Sequence, residues 1–220
     1  MSKILDLHLQ QTLKKSRTKV TQTPACPLIS LHLFDPAVLE GPIPHDQALA
    51  ILEEPAYWSF CWASGQVLAQ YILNYPEYVK GKTIVDFGSG SGVVAIAAAL
   101  SGAKKVYACD IDKRALDACS ENARLNNVGL NCISNLDTIT DHIDLIVAAD
   151  VLYDKENYLL LDLFFSKAAQ VLLADSRVKV LPSDHYQQIG CVEARTWPDL
   201  NEFEEFNQVR LYLSKSAQKK

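Results

Sequence analysis

The sequence predicts an α/β fold: a mostly parallel sheet with helices on both faces and an antiparallel hairpin at one edge. Three observations predict it. Past Lys82, apolar runs of strand length alternate with segments of helical period, the pattern of a parallel sheet covered by helices. The first of these runs, Thr83-Ile84-Val85-Asp86-Phe87, opens directly into a turn with three glycines in five residues, Gly88, Gly90 and Gly92. The last two runs, "CVEART" and "QVRLYLS", follow one another without a long helix between them, as hairpin strands do.

Each element can be justified in order. Residues 1–20 are polar and mostly basic, with Asp6 as the one acid. A transit peptide has that bias, but "LDLHLQQTLKK" also reads as a short amphipathic helix, and Asp6 with a single arginine favours the helix. Pro24, Pro27, Pro36, Pro42 and Pro44 forbid a long helix thereafter, so extended arms and turns are expected around "ISLHLF". Residues 1–50 therefore form an N-terminal extension and 51–220 the main domain. From about 48 to 75 the pattern is helical, broken at Pro55. "TIVDFG" is a strand, Val93–Ser101 a helix, "KVYACD" a strand, Lys113–Asn126 a helix, and "LNCIS" and "IDLIVAAD" are strands. "ENYLLLDLFFSKAAQ" is a helix, "VLLAD" a strand, and the hairpin closes the chain.

Composition excludes several classes. With 220 residues and 49% hydrophobic content the chain can bury a full core. The longest apolar stretch, Gly92 to Leu100, is far short of the roughly 20 residues that a membrane span needs. A net charge of −5 argues against a nucleic-acid partner. The six cysteines show no C-x-x-C pair and no histidine at metal-ligand spacing, so free thiols and no metal are expected. His45 and His185 read as surface residues.

The glycine-rich turn carries the first functional signal. Glycine lets a backbone leaving a strand approach a ligand above the sheet and adopt positive φ. A dinucleotide fingerprint, G-x-G-x-x-G, would place its third glycine at 93, where this chain has valine. Asp86 lies two residues before the first glycine, and the next strand ends on Asp110, where a carboxylate can accept both ribose hydroxyls. The pattern favours a nucleoside ligand without a pyrophosphate, and Ser89 belongs to the same turn. Taken alone, such a turn also serves simply to close a strand–helix corner.

Asp86-x-Gly88-x-Gly90-x-Gly92, followed by an apolar strand ending in Asp110, resembles motifs I and II of the class I methyltransferases that use S-adenosylmethionine. Two further stretches, Trp58-Ser59-Phe60-Cys61-Trp62-Ala63-Ser64-Gly65-Gln66 and Asp150-Val151-Leu152-Tyr153, resemble the W-x-F-x-W-x-G-G-Q and D-x-x-Y motifs of the seven-β-strand protein-lysine methyltransferases of family 16. Within them, the chain is most similar to the branch acting on the electron transfer flavoprotein β subunit. Ser64 departs from the glycine of that pattern. The resemblance runs from about residue 27 to 182. It implies a Rossmann-like class I methyltransferase fold with seven strands and S-adenosylmethionine as cofactor. It further implies a protein substrate, no nucleic acid or membrane partner, a monomer, and a cytoplasmic location or, in a eukaryote, the mitochondrial matrix. The alternatives are an enzyme for ribosomal protein L11, whose family motif is of N-P-P-Y type, one for a small amine such as nicotinamide, or a binding protein that keeps the fold.

The expected cofactor contacts are Trp62, Gln66, Asp86, Gly88, Ser89, Gly90, Gly92, Asp110, Ile111, Asn135 and Ala149. Asp150 and Tyr153 are the expected catalytic pair. An attacking lysine must be neutral, although its free pKa is about 10.4. Asp150, at the carboxyl end of a central strand, is placed to hydrogen-bond the amine, and Tyr153 to wall its channel and face its charge. Each has a plainer reading. Asp150 can cap the next helix, Tyr153 can be a packing aromatic, and Trp58 and Trp62, four apart, can share the apolar face of one helix. Asn135 can simply be a polar loop residue.

Overall fold

The computed structural model describes residues 2–38, 53, 55–200 and 203–215. The turns expected at Pro42 and Pro44, the surface place of His45 and the start of the helical pattern at 48 lie outside the described residues.

In chain order the elements are α1 (Lys3–Gln10), β1 (Thr18–Gln22), β2 (Ser30–Phe34), α2 (Ala63–Asn74), β3 (Thr83–Phe87), α3 (Val93–Leu100) and β4 (Lys105–Cys109). They continue with α4 (Lys113–Leu125), β5 (Asn131–Ile133), β6 (Ile143–Ala149), α5 (Leu159–Lys167), β7 (Ala168–Asp175), β8 (Tyr186–Glu193) and β9 (Gln208–Ser214). The main sheet has seven strands in the order β5-β4-β3-β6-β7-β9-β8. β3 to β7 pair in parallel, and β9 runs antiparallel to both β7 and β8.

Period-two alternation assigns the sheet's two faces. Ile84, Val106, Leu145, Val147 and Leu172 point to one core, packed with α2 and α3. Val85, Tyr107, Ile146, Val171 and Leu173 point to the other, packed with Phe164 of α5. Because β3 has β4 on one side and β6 on the other, the chain order reverses at β3. The carboxyl ends of these strands therefore flank a crevice at the topological switch point.

Three boundaries differ from the sequence expectation. The helix expected over 156–170 ends at Lys167, because Ala168 turns to extended geometry and pairs with Ile143. β8 starts at Tyr186, five residues before the expected strand. Its mostly exposed edge position leaves no apolar alternation to mark the start. Trp58 and Trp62 do not share a helix. Trp58 lies in a single 3-10 turn, Tyr57–Ser59, and Trp62 caps α2. Trp58 is 1% exposed and meets the His8 ring edge-on at 6.2 Å, while its Nε1 finds no acceptor among the described residues. The six cysteines are free: four are buried, Cys132 is half-buried and Cys191 exposed. No helix among the described residues is long and apolar enough to cross a membrane.

The N-terminal residues are fastened to α4. Leu5 and Leu9 of α1 pack on Ala115 and Ala118, and His8 Nε2 lies 2.9 Å from Asp117 Oδ2. β1 and β2 pair antiparallel, Thr18 opposite Phe34. The other edge of β2 meets two asparagines one helical turn apart. The Asn126 amide accepts from Ser30 N (2.9 Å) and donates to Ser30 O (2.6 Å), the two bonds a neighbouring strand would make. Asn122 Oδ1 accepts from His32 N (2.7 Å) and its Nδ2 donates to Ser91 O (2.8 Å), in the glycine-rich turn. Asn122 thus joins the arm to the turn while fully buried. Replacing Asn122 by alanine strands His32 N–H and Ser91 C=O in a dry environment. The expected loss is about 3 kcal/mol of unfolding free energy, read by urea denaturation, against under about 0.5 kcal/mol for the exposed Lys3→Ala.

Candidate cofactor cleft and acceptor site

The strand–turn–helix corner after β3 is built from backbone contacts. Gly88 N–H and Ser89 N–H both donate to Cys109 O, at 2.8 and 3.2 Å, folding the turn onto the end of β4. Gly88 has φ +68°, and a Cβ there would lie 2.7 Å from Val151 Cγ1. Gly92 has φ +79°, and a Cβ there would press on Cys119 at 3.1 to 3.4 Å. Any side chain at these two positions would push the turn off β6 or off α4. Gly90 differs. A Cβ there would meet nothing closer than Gly88 O at 3.9 Å, and its N–H donates to Asp110 Oδ2 at 2.9 Å.

Two carboxylates brace this corner. Gly92, as the N-cap of α3, has no side chain to satisfy the first-turn N–H groups. Asp86 Oδ2 reaches across from β3 and accepts from Ala95 N at 2.9 Å. Asp86 is 2% exposed, and burial, reinforced by the charge of Asp110, pushes its pKa up to about 8. Asp110 follows β4. Its Oδ1 accepts from Asp112 N (2.9 Å), and burial raises its pKa too, against the backbone bonds that lower it. Each Asp110 oxygen keeps a lone pair beyond these bonds, so the carboxylate can still accept hydroxyl donors.

Trp62, Gly65, Asp86, Ser89, Gly90 and Ala149 line a cleft over this corner. Trp62 Nε1 donates to Tyr57 O (3.0 Å) and its ring stands edge-on to Tyr57. Ile111, directly after Asp110, is 92% exposed. Five expected contacts do not line this cleft: Gly92 and Asp110 belong to the corner that carries it, Ile111 follows Asp110, and Gln66 and Asn135 make other contacts. Gln66 Nε2 donates to Cys61 O (2.9 Å) and Arg195 O (2.7 Å), and its side chain lines a separate concavity beside Trp197. Asn135 is exposed, and its side chain accepts from Asp137 N (2.9 Å), capping a short 3-10 turn. Gly65, part of the Trp58–Gln66 stretch but not among the expected cofactor contacts, lines the cleft. It sits one residue before Gln66, and a Cβ there would come within 3.3 Å of Val93.

Asp150 stands just past Ala149, at the end of β6. It has φ +53°, and its N–H donates to Ala174 O at 3.0 Å. Its Oδ1 accepts from Ser64 Oγ (2.7 Å), Ser176 N (3.0 Å) and Ser176 Oγ (2.8 Å). It does not cap the following turn; Asp154 does, accepting from Glu156 N at 3.1 Å. Tyr153 is 68% exposed. Ser176 was not foreseen, although it directly follows a parallel strand, where open α/β sheets place ligands.

Comparison with known proteins places this arrangement. The solved structure of a ribosomal protein L11 methylase from Lactobacillus delbrueckii subsp. bulgaricus superposes with a TM-score of 0.54 at 26% identity, over 70% of this chain and 79% of that one. The fold is the Rossmann-like fold of the class I methyltransferases. A family model described as ribosomal protein L11 methyltransferase matches residues 67–159, from α2 to the start of α5. The chain is 40% identical over 129 residues to the electron transfer flavoprotein β subunit lysine methyltransferase of Mus musculus, covering 54% of this chain and 50% of that one. It is 45% identical over 102 residues to the Danio rerio protein of the same name, covering 45% and 40%. The chain spans half or less of the length of these relatives.

The raised pKa of Asp86 has a measurable consequence. Between its ordinary value of 3.8 and about 8, the folded chain holds a proton that the unfolded chain has released. Stability therefore falls as pH rises across that window. Asp86→Asn keeps an acceptor for Ala95 N but cannot ionise. The variant should lose this part of the pH dependence, seen as a flatter plot of unfolding free energy between pH 4 and 8; an unchanged slope would show that Asp86 does not titrate there.

Proposed function

We propose that this protein is an S-adenosylmethionine-dependent protein-lysine N-methyltransferase acting on the electron transfer flavoprotein β subunit. The observation that carries the reading is the juxtaposition of two sites. The cleft over the glycine turn is walled by Ala149, and the next residue is the pinned carboxylate of Asp150. The residues fit the cofactor: Asp110 retains acceptor capacity for ribose hydroxyls, Gly90 leaves its side of the turn open, and Trp62, Ser89 and Ala149 form walls. When bound, S-adenosylmethionine supplies an electrophilic methyl group. Asp150 accepts an N–H of the incoming amine and orients its lone pair toward the cleft, so that rate comes mainly from proximity and orientation. Tyr153, exposed at the mouth, offers its ring face to the cation.

The relatives named for the flavoprotein subunit support the protein substrate. We further take the enzyme to work as a monomer without nucleic acid, in the cytoplasm or, in a eukaryotic cell, the mitochondrial matrix. Ribosomal protein L11 is the second candidate acceptor, favoured by the family model over residues 67–159. Radiolabel transfer to the two purified proteins decides between them. Label on the flavoprotein subunit is expected, and label on L11 alone would overturn the assignment.

Two substitutions separate cofactor binding from transfer. Asp110→Ala should weaken S-adenosylmethionine binding severely while the fold survives, measured by calorimetric titration. Asp150→Ala should leave cofactor affinity nearly intact and cost on the order of 3 kcal/mol of transition-state stabilisation, about a hundredfold in kcat. Tyr153→Phe should be milder. Near-normal turnover in Asp150→Ala would remove Asp150 from the chemistry.

A further inference from the structure

We propose that Ser64 and Ser176 are positioning residues that lock the Asp150 carboxylate with Oδ2 presented to the acceptor amine, an inference that rests on the lysine methyltransferase reading above. Ser64 lies in the first turn of α2 and Ser176 directly after β7, so the two hydroxyls reach Asp150 from different elements. Together with Ser176 N–H they deliver three donors to one oxygen, Oδ1, at 2.7 to 3.0 Å. A carboxylate oxygen has two lone pairs, so Oδ1 has no capacity left for a substrate. Oδ2 takes no hydrogen bond among the described residues. The carboxyl group is planar. With its backbone pinned by the bond to Ala174 O and Oδ1 held by three donors, Oδ2 has one direction available.

Ser64 is fully buried and Ser176 nearly so, so the two donors meet Asp150 with little competition from water. They act against a repulsive neighbourhood. Asp175, at the end of β7, feels the Asp150 charge. Arg177 follows in the loop after β7, Tyr153 and Asp154 sit on the Asp150 segment itself, and α2 carries no charged side chain. Without the hydroxyls, the Asp150 carboxyl group would turn more freely, and Oδ2 would no longer be held toward the amine.

The test uses Ser64→Ala, Ser176→Ala, the double variant and Ser176→Thr, with Asp150→Asn as reference, all in the full chain. The readouts are kcat, KM for the protein substrate, cofactor affinity and melting temperature. Each alanine variant is expected to lose about tenfold in kcat, with cofactor affinity within about twofold. In the double variant kcat and kcat/KM should both fall by about a hundredfold. Ser176→Thr, which keeps the hydroxyl, should restore both. The inference is overturned if kcat of the alanine variants stays within about twofold of the unaltered chain, or if the variants lose only melting temperature. An Asp150→Asn protein that is fully active would instead overturn the underlying reading, whatever the serine variants do.

Discussion

The molecule depends on one hydrogen bond between elements, from Ala95 N–H in the first turn of α3 to the buried carboxylate of Asp86 on β3. A helix usually satisfies its first N–H groups with the side chain of its own N-cap. Here the N-cap is Gly92, which must be glycine because its φ is positive and α4 lies against it. The cap is therefore supplied from nine residues upstream. This arrangement leaves the N-cap position to glycine, so no capping side chain projects from the turn at Gly92. The cost is a carboxylate in a low-dielectric corner, and its raised pKa expresses that cost.

The same corner explains why the neighbouring pieces lie where they do. Gly88 and Ser89 hang on Cys109 O, so the turn follows the end of β4. Gly90 N–H fixes the Asp110 carboxylate, so that side chain follows the turn. Asn122 reaches from α4 to Ser91 O and at the same time to His32 N, so the N-terminal arm is placed by the turn as well. Val151 packs where a Cβ on Gly88 would stand, which brings the end of β6 close. The crevice is thus one connected structure, in which the ends of β3, β4 and β6 meet on the backbone of a single turn.

The parts that obey simple periodicity were legible in the sequence. β3 to β6, α3 and α4 follow from apolar alternation and helical period, and the glycine turn with Asp86 and Asp110 follows from residue type and spacing. What was not legible depends on partners distant in the chain. A four-residue spacing suggested that Trp58 and Trp62 share a helix face, but the extended geometry at Phe60 and Trp62 separates them into two elements. Gln66 lies one turn beyond Trp62, yet its amide is held by Cys61 O and by Arg195 O, 129 residues away. Asn122 and Asn126 look like ordinary polar helix residues until β2 is laid beside them. Asn135 is a turn cap, as its residue type allows. Edge strands such as β8 have one exposed face and little alternation, and so their ends are the least visible.

Asp150 shows the converse relation between local cost and use. Its φ of +53° is unfavourable for most residues and tolerable for aspartate. Strain of this kind persists when the surroundings over-determine it. Four hydrogen bonds do so here: one from the Asp150 N–H to Ala174 O, one from Ser64 and two from Ser176. The family model ends on one side of Ser176 and begins after Ser64, while the glycine turn, Asp110 and Asp150 lie inside it. The features within the shared segment form the cleft and bring the carboxylate to its edge. The two side chains that set the direction of that carboxylate come from outside it, from the first turn of α2 and the loop after β7. The direction of the Asp150 carboxylate is thus set by side chains outside the segment that the family model matches, and it can change while the cleft within that segment stays the same.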